Sequence, residues 1–529
     1  MIDKLNTIKV VKRNGRRVEF DGSKIAIAIK KGFDSVDAPY GLDDVNKVYN
    51  KVILQIRKQE KDSIKIEQIQ DLIEQELQKN GYTDVYQSFA EYRERRAKSR
   101  ETFSDEKRLH KFLKLIEKLG LKEGSEENTT LSNKNAYDTM LEFGSTLSKE
   151  FSKTYLMKKA YSDAHDNGDI YIHDIDFIPM GTTESCKIDL SQTLKNKEYE
   201  NIGEYLNDVG IMLSKVQKDQ HGEQTIPEID TYLAPAVLKT FKEQLKQTID
   251  DLLEFSDFDK FIATNGIERE IDRINTIEID ATIFDKYTRE SSTLKKMFAQ
   301  SIQKAIQKTE KIVSKTIGDF LERLSEAQEC SICFGLDTSK EGHMISKNIL
   351  QEAPKRPNLT FIFKIKQGVN SKENEPNYDL LKMASKLQIM YVFQDTTFNK
   401  NSKVAYTKTA RYNEECPGRL STTTINLPRL GLKYAGGKIE EFYQELDEKL
   451  ELIKDQLLER FDEQCSKLAG KFPYLIGQGI WQDGEKLEPN DRLRRVLKQG
   501  DLAIGFIGLA ECIKALTRKK PSRRKYAWH

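Results

Sequence analysis

Three groups of residues in this 529-residue chain have types and spacings that could do chemistry. The first is Gly168-Asp169-Ile170-Tyr171-Ile172-His173-Asp174-Ile175-Asp176, with Cys186 shortly after it in Gly181-Thr182-Thr183-Glu184-Ser185-Cys186-Lys187-Ile188-Asp189-Leu190. Most free cysteines are small buried hydrophobes. This one stands beside an aspartate-rich turn, where Gly and Asp mark the entry to a strand. His173, Asp174 and Asp176 could be read as a metal triad, but consecutive strand side chains point to opposite faces, which opposes it. A satisfied core histidine is the plain alternative. The second group is Cys330-Ser331-Ile332-Cys333, whose spacing fits redox chemistry or half of a zinc site. No second C-x-x-C accompanies it. The third is Lys12-Arg13-Asn14-Gly15 with Lys24, basic side chains around a tight turn that could hold a polyphosphate. A solvated hairpin edge is the alternative there.

The elements that must position these residues are legible in part. Ile8 to Asp21 reads as two short strands around an Asn-Gly turn. Ser23 is expected to cap a helix that follows. Residues 42–58 and 63–80 carry apolar residues at helical spacing, and a charged helix is expected over about 85–100. A polar connector spans 101–135. Beyond it, long charged helices are expected around 235–265, 290–326 and 437–470, with strands at 357–366 and 420–427. The charge runs in those helices read as solvated faces. Alternation of this kind predicts an α/β barrel or a layered sheet, and periodicity does not choose between them.

Composition narrows the function classes. Basic and acidic side chains nearly balance, 86 against 84, so no global field favours nucleic acid. No apolar h-region opens the chain and no long apolar run crosses a membrane. Six cysteines (186, 330, 333, 416, 465 and 512) are too sparse for a disulfide scaffold, so a cytoplasmic protein with reduced thiols is expected.

The pattern V-x-K-R-N-G, then Phe20-Asp21, then Lys24 at a helix start and Tyr92-Arg93-Glu94-Arg95-Arg96-Ala97-Lys98 resembles the ATP-cone regulatory domain of ribonucleotide reductases. The resemblance implies Lys12, Arg13, Gly15 and Lys24 as adenine-nucleotide contacts, with ATP and dATP as allosteric effectors. Downstream, Ile172-His173-Asp174-Ile175-Asp176 resembles the I-H-D-L-D segment of the anaerobic, glycyl-radical (class III) reductases. Gln220-His221-Gly222-Glu223-Gln224-Thr225-Ile226-Pro227 resembles H-G-G-Q-x-I-P, with Glu223 where a glycine is usual; if that glycine needs positive φ, the change costs strain. A surface turn is the plain alternative. Cys330 to Ser339 resembles S-x-N-x-G-x-D-T-S, with Cys333 in place of Asn, so the C-x-x-C reads as chance. Pro357-Asn358-Leu359-Thr360-Phe361-Ile362-Phe363-Lys364-Ile365-Lys366 resembles a family barrel strand. Gly418-Arg419-Leu420-Ser421-Thr422-Thr423-Thr424-Ile425-Asn426-Leu427-Pro428-Arg429-Leu430 resembles G-R-G-N-L-S-F-T-T-I-N-L-P-R-L. Phe472 to Gly479 and Gly505 to Glu511 are similar to further barrel segments, where Glu511 stands either as a site carboxylate or at a helix entrance.

The resemblance covers residues 8–517. It implies an α/β fold: a small α+β ATP cone over 1–105, then an incomplete ten-stranded α/β barrel over 106–517. The segment 518–529, with six basic residues in twelve, is read as a frameshifted or aberrant end. The implied activity is anaerobic reduction of ribonucleoside triphosphates. A radical-SAM activating enzyme with an iron-sulfur cluster generates a glycyl radical, a finger-loop cysteine takes it up, and formate or a dithiol is the reductant. A homodimer and a structural zinc are also implied. Cys186 corresponds to the reducing cysteine, with Ser185 in its neighbour's place, and Asn426 is a substrate contact. The finger-loop cysteine should fall near Lys408-Thr409, where there is none. Threonine cannot replace it, because its O–H bond is far stronger than S–H, and Cys416 could serve only in a rethreaded loop. The radical glycine and the zinc cysteines are likewise not among these residues. The alternative reading is therefore an inactive remnant or a nucleotide-binding regulator that keeps the cone.

Overall fold

The computed structural model describes residues 8–12, 16–36, 40–59, 62–104, 136–194, 197–254, 260–288, 291–327, 329–393, 404–407, 411–412, 416–436 and 438–517. Arg13 and Gly15 of the basic turn, most of the polar connector, Lys408-Thr409 and the 518–529 segment lie outside the described residues.

In the first part, β1 (Lys9–Val11) pairs antiparallel with β2 (Arg17–Glu19), as an Asn-Gly turn requires. Two local expectations are corrected. Residues 63–65 are not helix but β3 (Ser63–Lys65), which lies parallel to β1 and buries Ile64. The first helix, Gly22–Asp34, is capped by Asp21, whose carboxylate accepts from the Ser23 backbone N–H. Aspartate one step earlier satisfies the orphan donor, so Ser23 falls inside the helix. Helices Leu42–Lys58, Ile66–Lys79 and Thr83–Ser104 complete the unit. Their apolar stripes meet in a core of their own, built on Ile25, Ile29, Val48, Val52, Ile73 and Leu77.

The larger part is mixed α/β. Strands β5 (Ser185–Lys187), β6 (Glu223–Ile226), β7 (Cys330–Phe334), β8 (Thr360–Ile365) and β9 (Met390–Phe393) form a parallel sheet in chain order. Helices Ile202–Val216, Ile229–Glu254, Ser292–Ala327, Lys340–Glu352 and Tyr378–Lys386 make the crossovers. All six residues of β8 are buried, as a strand covered on both faces must be. A second sheet holds β4 (Ile170–Ile172), β12 (Arg419–Asn426) and β13 (Asp501–Ile507), with β12 in the middle. β12 is antiparallel to β4 and parallel to β13.

The two sheets join along β5 and the start of β12. Lys187 N–H donates to Pro417 O at 2.7 Å and Glu184 N–H to Arg419 O at 3.0 Å, an antiparallel seam. Seven strands thus run in the order β9-β8-β7-β6-β5-β12-β13, five pointing one way and two the other, with β4 paired antiparallel to the later part of β12. This half-and-part-half arrangement is consistent with an incomplete barrel; closure is not seen among the described strands. β13 is at the edge and leaves Ile504, Phe506 and Ile507 exposed. A hairpin, β10 (Ala405–Tyr406) with β11 (Arg411–Tyr412), forms a two-stranded sheet of its own.

The seam needs backbone contact. A Cβ on Gly418 would sit inside the van der Waals envelope of Ser185 O; on the other side of β5, ahead of β6, one on Gly222 would do the same to Glu184 O. Gly418→Ala is expected to destabilise the protein by about 1–3 kcal/mol through overpacking. Gly144→Ala is the control, since Gly144 lies inside helix Ala136–Phe151 with nothing within 4 Å of its missing Cβ, and should stabilise by about 0.5–1 kcal/mol. Urea melts of both variants check this pair. A second expectation concerns Asp169, which accepts from Arg429 Nε at 2.8 Å and Lys449 Nζ at 2.7 Å. Burial opposes its charge, but these two cations hold its carboxyl below the ordinary value. The stabilisation it gives is present above the unfolded carboxylate range and is lost as pH falls through the lower folded value. Asp169→Asn should therefore destabilise near pH 7 and cost progressively less in acid, a trend that melts across pH would show.

Candidate active site

Strand alternation sorts the chemistry-bearing residues onto two faces of the parallel sheet. Ile226, Cys330, Ile332, Phe334, Phe361, Phe363 and Ile365 belong to the main core against the helices. Their alternates, Thr225, Ser331, Cys333, Thr360, Ile362 and Lys364, face the other way. That face carries the hairpin. Thr225 Oγ1 donates to Tyr406 O at 2.9 Å, and Cys333 Sγ donates to the same carbonyl at 3.5 Å. Cys333, Ile362, Val404 and Tyr406 form a small cluster there. The segment that should be a finger loop is therefore seated on the sheet's inner face; its tip is outside the described residues.

Cys186 does not reach that face. It is in register with Gln224 and Cys330, is fully buried, and belongs to the helix-side core. Its Sγ donates to a neighbouring carbonyl, Lys187 O, at 3.6 Å, Trp481 lies beside it, and burial pushes its thiol far above the ordinary value. Cys186 therefore faces the helix side of the sheet, because a two-residue period sends Ser185 and Lys187 to the hairpin side. Ser185 Oγ accepts from Arg419 N–H at 3.2 Å.

Cys330 and Cys333 also divide between the faces, so their spacing makes neither a disulfide nor half of a zinc site. Among the described residues no group of three or more His, Cys, Asp or Glu could hold a metal ion. Cys416 is half-buried just before β12, with Sγ donating to Gly418 O at 3.4 Å. Lys364 is fully buried on the hairpin face. Burial lowers its pKa, and Cys333, Glu228 and Asp230 oppose that shift. Asp230 itself is buried and accepts from the N–H groups of Gly335 and Asp337 and from Ser346 Oγ, pinning the end of β7.

The aspartate-rich turn and the Q-H-G-E-Q segment come together, although 40-odd residues separate them. Asp174 is left-handed, with φ 51°. His221 Nε2 lies 3.4 Å from Asp174 Oδ2, and its other nitrogen is 2.7 Å from Thr182 Oγ1. Burial would raise the Asp174 carboxyl, but His221 and Arg460 hold it below the ordinary value. His173 Nε2 bonds Thr424 Oγ1 at 2.8 Å, and Asp176 accepts from Ser145 Oγ at 2.6 Å. The three candidate ligands of the turn therefore take three different partners. Glu223, extended within β6, has no positive φ, so the replaced glycine carries no strain. Gly222 is the position that must lack a side chain.

Asn426 caps helix Leu427–Lys433: its Oδ1 accepts from Arg429 N–H and its Nδ2 donates to Gly168 O at 2.9 Å. Glu511 lies in the first turn of helix Leu509–Thr517. In the cone, Lys12 is exposed, and Lys24 is exposed with Asp21 at 3.4 Å. Sequence reasoning missed Arg460 and Gln464 of helix Ile439–Cys465, both nearly fully buried. Their signal was available: they fall on the stripe of Ile453 and Leu457 at helical spacing.

Known proteins resemble this chain over most of its length. The family described as "Anaerobic ribonucleoside-triphosphate reductase" matches residues 127–529, and the "ATP cone domain" matches residues 8–98. The anaerobic ribonucleoside-triphosphate reductase of Haemophilus influenzae is 26% identical over 97% of this chain and 71% of that protein. The one from Escherichia coli is 24% identical over 96% and 70%. Among solved structures, the anaerobic ribonucleotide reductase from Thermotoga maritima in complex with dATP and CTP is 13% identical, with a TM-score of 0.45, over 72% of this chain and 61% of that one. The chain thus spans about seven-tenths of those curated relatives and about three-fifths of that solved chain. With the match running through well over half of its length, the chain belongs to the anaerobic ribonucleoside-triphosphate reductase family and carries an ATP cone ahead of the reductase region.

Proposed function

We propose that this chain takes part in the anaerobic reduction of ribonucleoside triphosphates, binding substrate on the hairpin face of its sheet and an adenine nucleotide at its cone. The observation that carries the reading is the seating of the β10–β11 hairpin on Thr225 and Cys333, opposite the helices. A hairpin held by side-chain hydrogen bonds on that face of the sheet helps to shield a ligand bound beside it from water. In the family, a radical supplies the hydrogen abstraction that starts the reaction. This chain's residues supply the surroundings: Ser185, Lys187 and His173 lie on the hairpin side, Ser185 and Lys187 buried there, and the strands exclude solvent. Cys186 is at the family's cysteine position but on the far face, so Ser185 is the side chain we assign to substrate contact on β5. Asn426 shapes the same wall through the 426–433 helix cap. The 1–105 and 106–517 division remains our working boundary. An activating enzyme, formate or a dithiol, and a second copy of the chain are the partners this reading calls for.

One observation favours the second reading, a nucleotide-binding regulator: the hairpin tip, Lys408-Thr409-Ala410, has no thiol. Anaerobic incubation of the full chain with CTP, a radical-SAM activating enzyme, S-adenosylmethionine and a dithiol or formate separates them. Formation of dCTP is expected if the chain reduces substrate. CTP binding without product would select the regulator, and no CTP binding would refute the hairpin-face site. For the cone, the Lys12→Ala/Lys24→Ala double variant should weaken ATP binding by about tenfold while the melting temperature stays constant, since both side chains are exposed and point charges on phosphate are worth roughly this much. Calorimetry with ATP on the full chain would show it.

A further inference from the structure

We propose that Arg460 is a positioning residue that sets His173 and Ser185 against a nucleotide on the hairpin face; this rests on the site assigned under the proposed function. Arg460 is 3% exposed. Its two terminal nitrogens donate to successive carbonyls, Nη1 to His173 O at 2.6 Å and Nη2 to Asp174 O at 3.3 Å. Those carbonyls flank the left-handed Asp174, a conformation that a non-glycine residue keeps only when its surroundings hold it. One helical turn later, Gln464 Nε2 donates to Thr182 O at 2.9 Å and Leu420 O at 3.1 Å. One face of the 439–465 helix therefore grips both ends of the 173–184 loop. The loop leaves β4 at His173 and enters β5 at Ser185, so its two ends carry the two side chains assigned to substrate.

The charges fit a positioning role. Burial works against the guanidinium, while Asp174, Glu184 and Asp176 support its charge. A planar fork can bridge two adjacent carbonyls; a lysine ammonium, a single point on a flexible stem, cannot do so in the same geometry. Glu184 N–H also reaches Leu420 O at 3.3 Å, so the start of β5, the Gln464 amide and β12 converge on one carbonyl. A shift of the loop would move His173 off Thr424 and Ser185 off the Arg419 N–H together.

The test uses the full chain with Arg460→Lys and His173→Ala, singly and combined, with CTP as probe because its pyrimidine base is a poor fit for an adenine site. Circular dichroism first establishes that each variant folds. Arg460→Lys is expected to weaken CTP binding by about tenfold, the scale on which small misplacements of a site act. The effect should not add to that of His173→Ala, because coupled residues fail additivity. Hydrogen exchange should rise in peptides covering 173–187 and stay unchanged in β7 and β8. CTP affinity within twofold of the parent, or effects that simply add, would overturn the positioning role. If the parent chain itself binds no CTP, the hairpin-face site fails, and the exchange measurement still decides Arg460: unchanged exchange at 173–187 refutes the grip.

Discussion

Everything in the larger part of this protein hangs on two strands of opposite direction lying backbone to backbone. β5 opens a parallel sheet; β12 opens its counterpart, and the two meet where Gly418 faces Ser185 O. Backbone groups buried at such a seam must find partners, and here they find each other, through Lys187 N–H to Pro417 O and Glu184 N–H to Arg419 O. Helices can then pack on only one side, because the other side must admit the hairpin. The separation of an apolar helix face from a polar inner face follows from that arrangement.

The polar inner face is unusual for a parallel sheet, whose strands are ordinarily apolar on both sides. Lys187, Thr225, Ser331 and Lys364 are all buried here. Burying such groups is costly unless they are paired. The structure meets that cost with neighbours of matching character, such as Glu223 for Ser331 and the Tyr406 carbonyl for Thr225.

Much of this was legible in the amino-acid order. The Asn-Gly hairpin, the long helices, the buried 360–365 strand and the 419–426 strand all carry local signals that tertiary structure did not override. Ser63–Lys65 went unread because three residues are too few to show a period, and its partner, β1, is 54 residues away in register. The site was harder. Cys186 was placed by likeness of motif, yet which of two adjacent residues faces inward depends on pairing with β6 and β12, which no local pattern reports. Arg460 and Gln464 hid in a charged helix because the eye assigns charge to solvent. Only their spacing from Ile453 and Leu457 distinguished them.

Ser185 and Cys186 are neighbours with side chains of nearly equal size, and the sheet assigns one to the hairpin and the other to the helices. A strand read one step out of phase would exchange them, turning the thiol inward and the hydroxyl outward. The same holds for Cys330 and Cys333, which share a strand but not a face. In evolutionary terms, a hydroxyl-lined and a thiol-lined version of this wall are separated by a single-residue insertion or deletion ahead of β5, or by one codon at position 185. A second thiol on the inner face, on β5 and beside the Cys333 already there, is therefore a short mutational walk away, with the fold that would have to accommodate it already built.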